Sequence, residues 1–272
     1  MQVAMITGAA NGIGAATARI MVQRGMKVVL VDVDDETGRN LESELGPSAE
    51  FHRLDVSDPV GWVHLKDHVL ETHGRIDILV LNAGTMSRPR GARVDDDTFG
   101  WLNQGAYERV LAVNQHGVVN GTMTFLPVFL QQESGRVLVI SSVDALIPYP
   151  QDPFYAMAKA SQLSFVRSMG ELLKEFGVSV NALCPFSVLT DLTPENFRDL
   201  PERSISPEVF AEAVTYVLKS ETTGEVWLKY HDTPEPCVHE FSEVQGIEKL
   251  YSPAPELVNG EARARPGSKE ME

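Results

Sequence analysis

Short β-branched runs alternate with longer amphipathic stretches along most of the chain. Continuous or alternating apolar runs predict strands at Val3–Ile6, Val28–Val31, Phe51–Leu54, Ile76–Leu81, Arg136–Ile140, Val178–Leu183 and Val226–Lys229. Apolar residues recurring at helical spacing predict helices at Ile13–Arg24, Glu36–Leu45, Pro59–His73, Ala106–Leu130, Phe154–Phe176 and Pro207–Leu218. Strands that alternate with helices belong to βα units, whose right-handed crossovers place helices on both faces of a parallel sheet. The expected fold class is therefore α/β, a doubly wound parallel sheet of seven strands with the first strand central. The carboxyl edge of such a sheet is its active edge.

Two segments break the alternation, Thr85–Gly105 and Phe186–Ser206, and both follow strands, so both should overhang that edge. The first holds Asp95, Asp96 and Asp97, which read as a solvated loop. The stretch Tyr251–Glu272 carries Pro253, Pro255, Gly260, Pro266 and Gly267 with few apolar residues, and is expected to be a flexible tail. Residues 1–250 then make one dinucleotide-binding and catalytic domain with a single core.

Composition narrows the partners. A net charge of −15 repels phosphates and anionic headgroups, so neither nucleic acid nor a membrane surface is expected. No apolar run reaches the roughly 20 residues that span a bilayer, and the first strand begins too early for a signal peptide, so the expected location is cytoplasmic. The two cysteines, Cys184 and Cys237, lack metal-ligand spacing, and no metal site is expected.

Candidate chemistry starts at Thr7–Gly14, TGAANGIG, directly after a strand and opening a helix. Gly8, Gly12 and Gly14 allow a tight turn and close approach of backbone to a pyrophosphate, which the helix N-terminus would stabilise. This makes the sheet Rossmann-type, with Asn11 and Ile13 in the turn. Asp32 ends the second strand, where a carboxylate can accept hydrogen bonds from adenosine ribose hydroxyls and repel a 2′-phosphate. Ala10 and Asn11 in the turn, and Val33, Asp34 and Asp35 after the strand, supply no arginine to offset that repulsion, so NAD is the expected cofactor.

Tyr155 and Lys159 lie four residues apart at the start of a long helix and share a face. A cation beside a phenol favours the phenolate and should lower its pKa toward the working range. Ser142 follows the strand Arg136–Ile140 and can hydrogen-bond a substrate oxygen, with Ser141 as an adjacent rival. A nucleophilic serine is not expected, since GxSxG is absent.

TGAANGIG, Asp55-Val56, LNAG at Leu81–Gly84, Asn114 in YERVLAVNQHG, Ser142, and Tyr155 with Lys159 stand in the order and spacing of the short-chain dehydrogenase/reductases. The resemblance covers about residues 2–230. It implies hydride transfer between NAD(H) and a secondary alcohol or ketone. It also implies that Asp55 and Val56 contact adenine, that Asn82, Ala83 and Gly84 line the cofactor cleft, and that Lys159 binds the nicotinamide ribose. By the same resemblance, Asn114 would support a water-mediated proton path to Lys159, and Val188 and Thr190 would touch the carboxamide. The ending weakly resembles hydroxyprostaglandin dehydrogenase-like members.

The sequence departs from the family pattern at Phe186, where Pro-Gly is usual, at Leu81 and at Ala145. Phe186 should narrow the nicotinamide site or shift its loop, and it keeps open the alternative of a catalytically inactive NAD-binding regulator. Asp152, Phe154, Phe186 and Trp101 are candidate substrate contacts. Apolar residues on more than one face of Phe154–Phe176 suggest a homodimer or homotetramer.

Overall fold

A computed structural model describes residues 1–89, 92, 98–193 and 204–242. The acidic run at 95–97 and the tail from Tyr251 lie outside these described residues. Met1–His239 forms one compact unit; Glu240–Glu272 is a second, of which 240–242 are described.

The strands are β1 (Val3–Thr7), β2 (Lys27–Asp32), β3 (Ala49–Arg53), β4 (Ile78–Leu81), β5 (Gly135–Ile140), β6 (Val178–Pro185), β7 (Val226–Lys229) and β8 (Cys237–Val238). They form one sheet in the order β3-β2-β1-β4-β5-β6-β7-β8. The first seven are parallel, as expected. The expected count of seven needs correction, because β8 pairs antiparallel with β7 through Trp227–Val238 and Leu228–Cys237. Two residues next to a proline-rich turn carry no readable period, so only pairing reveals that strand.

The helices are α1 (Gly12–Gln23), α2 (Asp35–Leu45), α3 (Pro59–His73), α4 (Thr98–Trp101), α5 (Gln104–Leu111), α6 (Gly117–Gln132), α7 (Pro153–Leu173) and α8 (Pro207–Val217). Several starts are written in the sequence. Asp58, Asp152 and Ser206 each cap a backbone N–H at the head of α3, α7 and α8, with proline at the first helical position. The single helix expected at Ala106–Leu130 is instead α5 and α6 joined by a π-helical turn, Ala112–His116.

Two apolar layers sandwich the sheet. Side chains on one face, including Met5, Val29 and Val31, pack under α3, α6 and α7; those on the other, including Ile6 and Leu30, pack under α1, α2 and α8. Trp62, Phe125 and Phe129 are fully buried, each removing enough apolar surface from water to contribute about 2–3 kcal/mol. The strand order reverses direction between β1 and β4, so a crevice opens at their carboxyl ends.

Candidate active site

A cleft of about 780 Å³ occupies that crevice. At one end lies the glycine turn. Gly8 has φ +62°, and a Cβ there would stand 2.9 Å from Ala83 Cα. Gly14 lies under the turn, where a Cβ would come within 2.1 Å of the Gly8 carbonyl, so helix and turn meet only through glycine. Asn82 donates from Nδ2 to the Thr7 and Gly8 carbonyls at 2.9 and 3.0 Å. The buried Thr7 hydroxyl accepts from the Asn82 and Ala83 backbone at 3.0 Å each. These bonds lock β4 to the turn.

Asp32 closes the same end. Its carboxylate accepts from the backbone N–H of Ala10 at 3.0 Å, Val33 at 2.7 Å and Asp34 at 3.1 Å. The expectation that no arginine lies near needs correction: Arg53, at the end of β3, donates from Nε to the Val33 carbonyl at 3.3 Å. Sheet register brings Arg53 opposite Asp32, a proximity that chain order hides.

The other end is built from the carboxyl end of β5 and the start of α7. Ser142 donates to Asp144 Oδ2 at 3.0 Å, and the Asp144 N–H returns a bond to the Ser142 hydroxyl. Ser141 instead donates to the Lys159 carbonyl at 3.1 Å, which ties β5 to α7. Both serines line the cleft, Ser141 bonded to the Lys159 backbone and Ser142 to the Asp144 carboxylate. Asp152 caps Tyr155 at 3.0 Å and receives the Ser87 N–H and hydroxyl, each at 2.7 Å. Lys159 donates from Nζ to the Ile140 carbonyl at 2.8 Å and lies 5.6 Å from the centre of the Tyr155 ring.

The electrostatics differ from the expected phenolate. Burial pushes the Tyr155 phenol well above its ordinary value, and the Asp144 carboxylate pushes it further, against the Ser142 hydrogen bond. Burial also lowers Lys159 to about 8, opposed by Cys184 and Asp144. The Lys159 ammonium, bonded to the Ile140 carbonyl, does not offset this desolvation of the phenol. Asp144 is itself raised by burial, despite Ser142, Arg88 and Lys159. Without a bound partner this end holds a protonated phenol.

Asn114 is fully buried in the π turn. Its side chain clamps Thr85 from both sides, accepting from the N–H and donating to the carbonyl at 2.8 Å each. Its own carbonyl accepts from Gln162 at 2.5 Å. Gly84 leaves the room this needs, since a Cβ would stand 3.2 Å from Asn114 Oδ1 and 3.7 Å from Lys159 Nζ.

The cleft brings together Gly8, Asn11, Gly12, Ile13, Asp32, Val33, Asp55, Val56, Asn82, Ala83 and Gly84 with Ser142, Tyr155, Lys159, Val188 and Thr190. Gly14 and Asn114 stand behind its wall. Of the substrate candidates, only Phe186 reaches it, as a half-exposed rim residue against Tyr230 and His231. Asp152 is buried as a cap, Phe154 packs on Tyr107, and Trp101 lines a separate, smaller cleft with Arg88 and Arg109. Sequence reasoning missed Asp144 and Tyr149, which line the cleft, and Arg88, whose buried Nη1 has no partner among the described residues. Asp144 stands two residues past Ser142, the one signal that could have drawn notice.

A doubly wound sheet with a glycine turn at one end of its crevice and a Ser-Tyr-Lys wall at the other defines a dinucleotide-dependent class of oxidoreductase fold. The short chain dehydrogenase family profile matches residues 2–201, and the chain belongs to that family. It is 34% identical over 201 residues to short-chain dehydrogenase reductase 5 of Arabidopsis thaliana, covering 72% of this chain and 73% of the relative. It is 32% identical to secoisolariciresinol dehydrogenase of Forsythia intermedia, covering 70% and 67%. A 3-ketoacyl-(acyl-carrier-protein) reductase from Brucella melitensis, solved with NADH, superposes with a TM-score of 0.74 at 29% identity, covering 83% of this chain and 94% of that one. Among the described residues, no helix is long and apolar enough to cross a membrane.

Proposed function

We propose that this protein transfers a hydride between NAD(H) and a secondary alcohol or ketone, with Tyr155 as acid and base. The observation that carries this reading is the convergence of Ser142, Tyr155 and Lys159 on one wall of a cleft that reaches Gly8 and Asp32. The residues fit a dinucleotide: the N-cap Asn11 makes no side-chain bond to the α1 N-terminus, leaving those N–H groups for a pyrophosphate. Asp32 would hold the adenosine ribose, and Lys159 the nicotinamide ribose. The nicotinamide, when bound, supplies the hydride acceptor or donor.

This chain's own groups handle the proton. Ser142 donates to Asp144 in this structure; turned to the substrate oxygen instead, its hydrogen would hold that oxygen and leave the alcohol proton free for Tyr155. Tyr155 takes that proton in oxidation and returns it in ketone reduction. Its raised pKa makes it an acid at neutral pH and a base only toward alkaline pH. Met86, Ile147, Tyr149, Leu192 and Phe186 line the outer cleft, which suits an apolar substrate body. The outer faces of α6 and α7 carry the exposed Met123, Met157 and Leu172, which supports a homodimer or homotetramer built there. Light scattering that gives a monomer mass at micromolar concentration would remove that part.

The test is a panel of apolar secondary alcohols with NAD, following the reduced nicotinamide, alongside Tyr155→Phe. Turnover in the parent and its loss in the variant are expected. Cofactor binding with no turnover on any member of the panel, or the matching ketones, would favour the inactive regulator.

A further inference from the structure

A second constellation stands at the β3 edge of the sheet and takes no part in hydride transfer. Glu50 and His52 are two residues apart on β3, so they project to the same face. Their register partners, Val29 and Val31, belong to the core layer beneath α3. That helix brings His68 and His73 against them. His52 Nε2 lies 3.4 Å and His73 Nε2 3.0 Å from Glu50 Oε1, while His68 Nε2 lies 3.8 Å from Glu50 Oε2.

One ligand atom from each of Glu50, His52 and His68 falls within 4.8 Å of the other two. The His52 and His68 ring centres are 4.7 Å apart with planes tilted by 57°, so the rings are not stacked on each other. His52 Nε2 is shut away from solvent and, among the described residues, has only the loose 3.4 Å contact with Glu50 Oε1 in place of a well-formed hydrogen bond. A buried ring nitrogen so weakly paired is costly, and an acceptor lone pair there would be satisfied by a cation shared with Glu50.

The donor set favours one cation. Zinc bonds to imidazole nitrogen and carboxylate oxygen at about 2.0–2.2 Å, which puts the corners of its tetrahedron about 3.3–3.5 Å apart. His52 Nε2 stands 3.4 Å from Glu50 Oε1 and His68 Nε2 3.8 Å from Oε2, so the carboxylate presents a different oxygen to each imidazole near that spacing, and one of the two would serve as the zinc ligand. Calcium and magnesium favour shells of oxygen, whereas two imidazoles and one carboxylate suit zinc.

We propose that Glu50, His52 and His68 form a Zn²⁺ site that clips β3 to α3, with water in the fourth position. His73 is a positioning residue that holds the Glu50 carboxylate through Oε1. The clip lies at the β3 end that precedes Leu54, Asp55 and Val56, all of which line the cleft. It therefore braces the cofactor side of the protein without touching the reacting atoms.

The test uses full-length protein stripped with a chelator and titrated with Zn²⁺ alone, and with Co²⁺ as a spectroscopic stand-in. One equivalent bound, a rise in melting temperature, and the intense visible bands of tetrahedral cobalt are expected. His52→Ala and His68→Ala should each weaken zinc at least about tenfold, as should His73→Gln by loosening the carboxylate. His116→Ala, an exposed histidine in the π turn, should leave binding unchanged. No saturable binding in the micromolar range, an octahedral cobalt spectrum, or equal affinity in parent and His68→Ala would overturn the proposal.

Discussion

The two ends of the cleft are held by different physics. At the glycine end, Asp32, Asn82 and Thr7 commit their polar atoms to backbone partners, and the shape is fixed by satisfied hydrogen bonds and absent Cβ atoms. At the catalytic end, Tyr155, Lys159 and Asp144 are ionisable groups held under wall side chains, and each is displaced toward its neutral form. The first arrangement is preformed for the proposed dinucleotide. The second stores a protonation preference that a substrate and cofactor can tip.

The largest effect that tests this contrast belongs to the catalytic end. Tyr155→Phe removes the proposed acid and base but none of the bonds at the glycine end. Turnover should fall by about a hundredfold or more, with cofactor affinity nearly unchanged. Stopped-flow turnover and a cofactor titration by fluorescence separate the two. A variant that turned over near the parent rate would end the assignment of Tyr155.

The glycine end predicts a smaller effect, on cofactor choice. In the proposed reading Asp32 opposes a 2′-phosphate, while Arg53, on the Val33 carbonyl, stands near enough to offer it a partner. If the carboxylate dominates, kcat/KM should favour NAD over NADP by at least about tenfold, or about 1.4 kcal/mol. Asp32→Ser with Val33→Arg should erode or reverse that ratio, and Arg53→Ala should widen it. Equal efficiency with both cofactors in the parent would remove the role given to Asp32.

How far the sequence revealed each end follows from the same contrast. Where chemistry sits on regular elements, residue order suffices: Gly8, Asp32, Tyr155 and Lys159 could be placed from strand ends and helix faces. Where a loop decides direction, it does not. Asp144 turns back on Ser142 through a single 3₁₀ turn, and Arg88 is buried by a loop with no period. The π turn escaped notice because one extra residue in a helix leaves its apolar pattern almost intact. The histidine cluster spans a strand and a helix with no ligand spacing in sequence, and an expectation of no metal built on cysteines could not see it.

Asp144 provides a way to sharpen the catalytic half. Its charge raises the Tyr155 pKa and supports that of Lys159, so Asp144→Asn should lower both. Phenolate would then form at lower pH, and the ammonium would lose its proton at lower pH. Both limbs of the alcohol-oxidation profile should therefore move toward acid, while the amide that replaces the carboxylate keeps an oxygen for the Ser142 hydroxyl. A kcat/KM profile that stays in place, or moves toward alkali, would show that Asp144 does not set the protonation of this wall.

The smallest expected effect separates two neighbouring hydroxyls. Ser141 and Ser142 are both buried at the end of β5, yet Ser141 gives its proton to the Lys159 carbonyl while Ser142 faces the cleft with Asp144. Ser141→Ala deletes one buried bond between β5 and α7, and the carbonyl it leaves still has its helical partner. The cost should be about 1 kcal/mol, or about 2–4 °C in melting temperature, with turnover close to the parent's. Ser142→Ala should do the reverse, leaving the melting temperature near the parent's and lowering turnover. Calorimetry and initial rates on the same two preparations read both quantities. If Ser141→Ala proved the slower enzyme, the division between a bracing and a working hydroxyl would fail, and with it the boundary between the two regimes of the cleft.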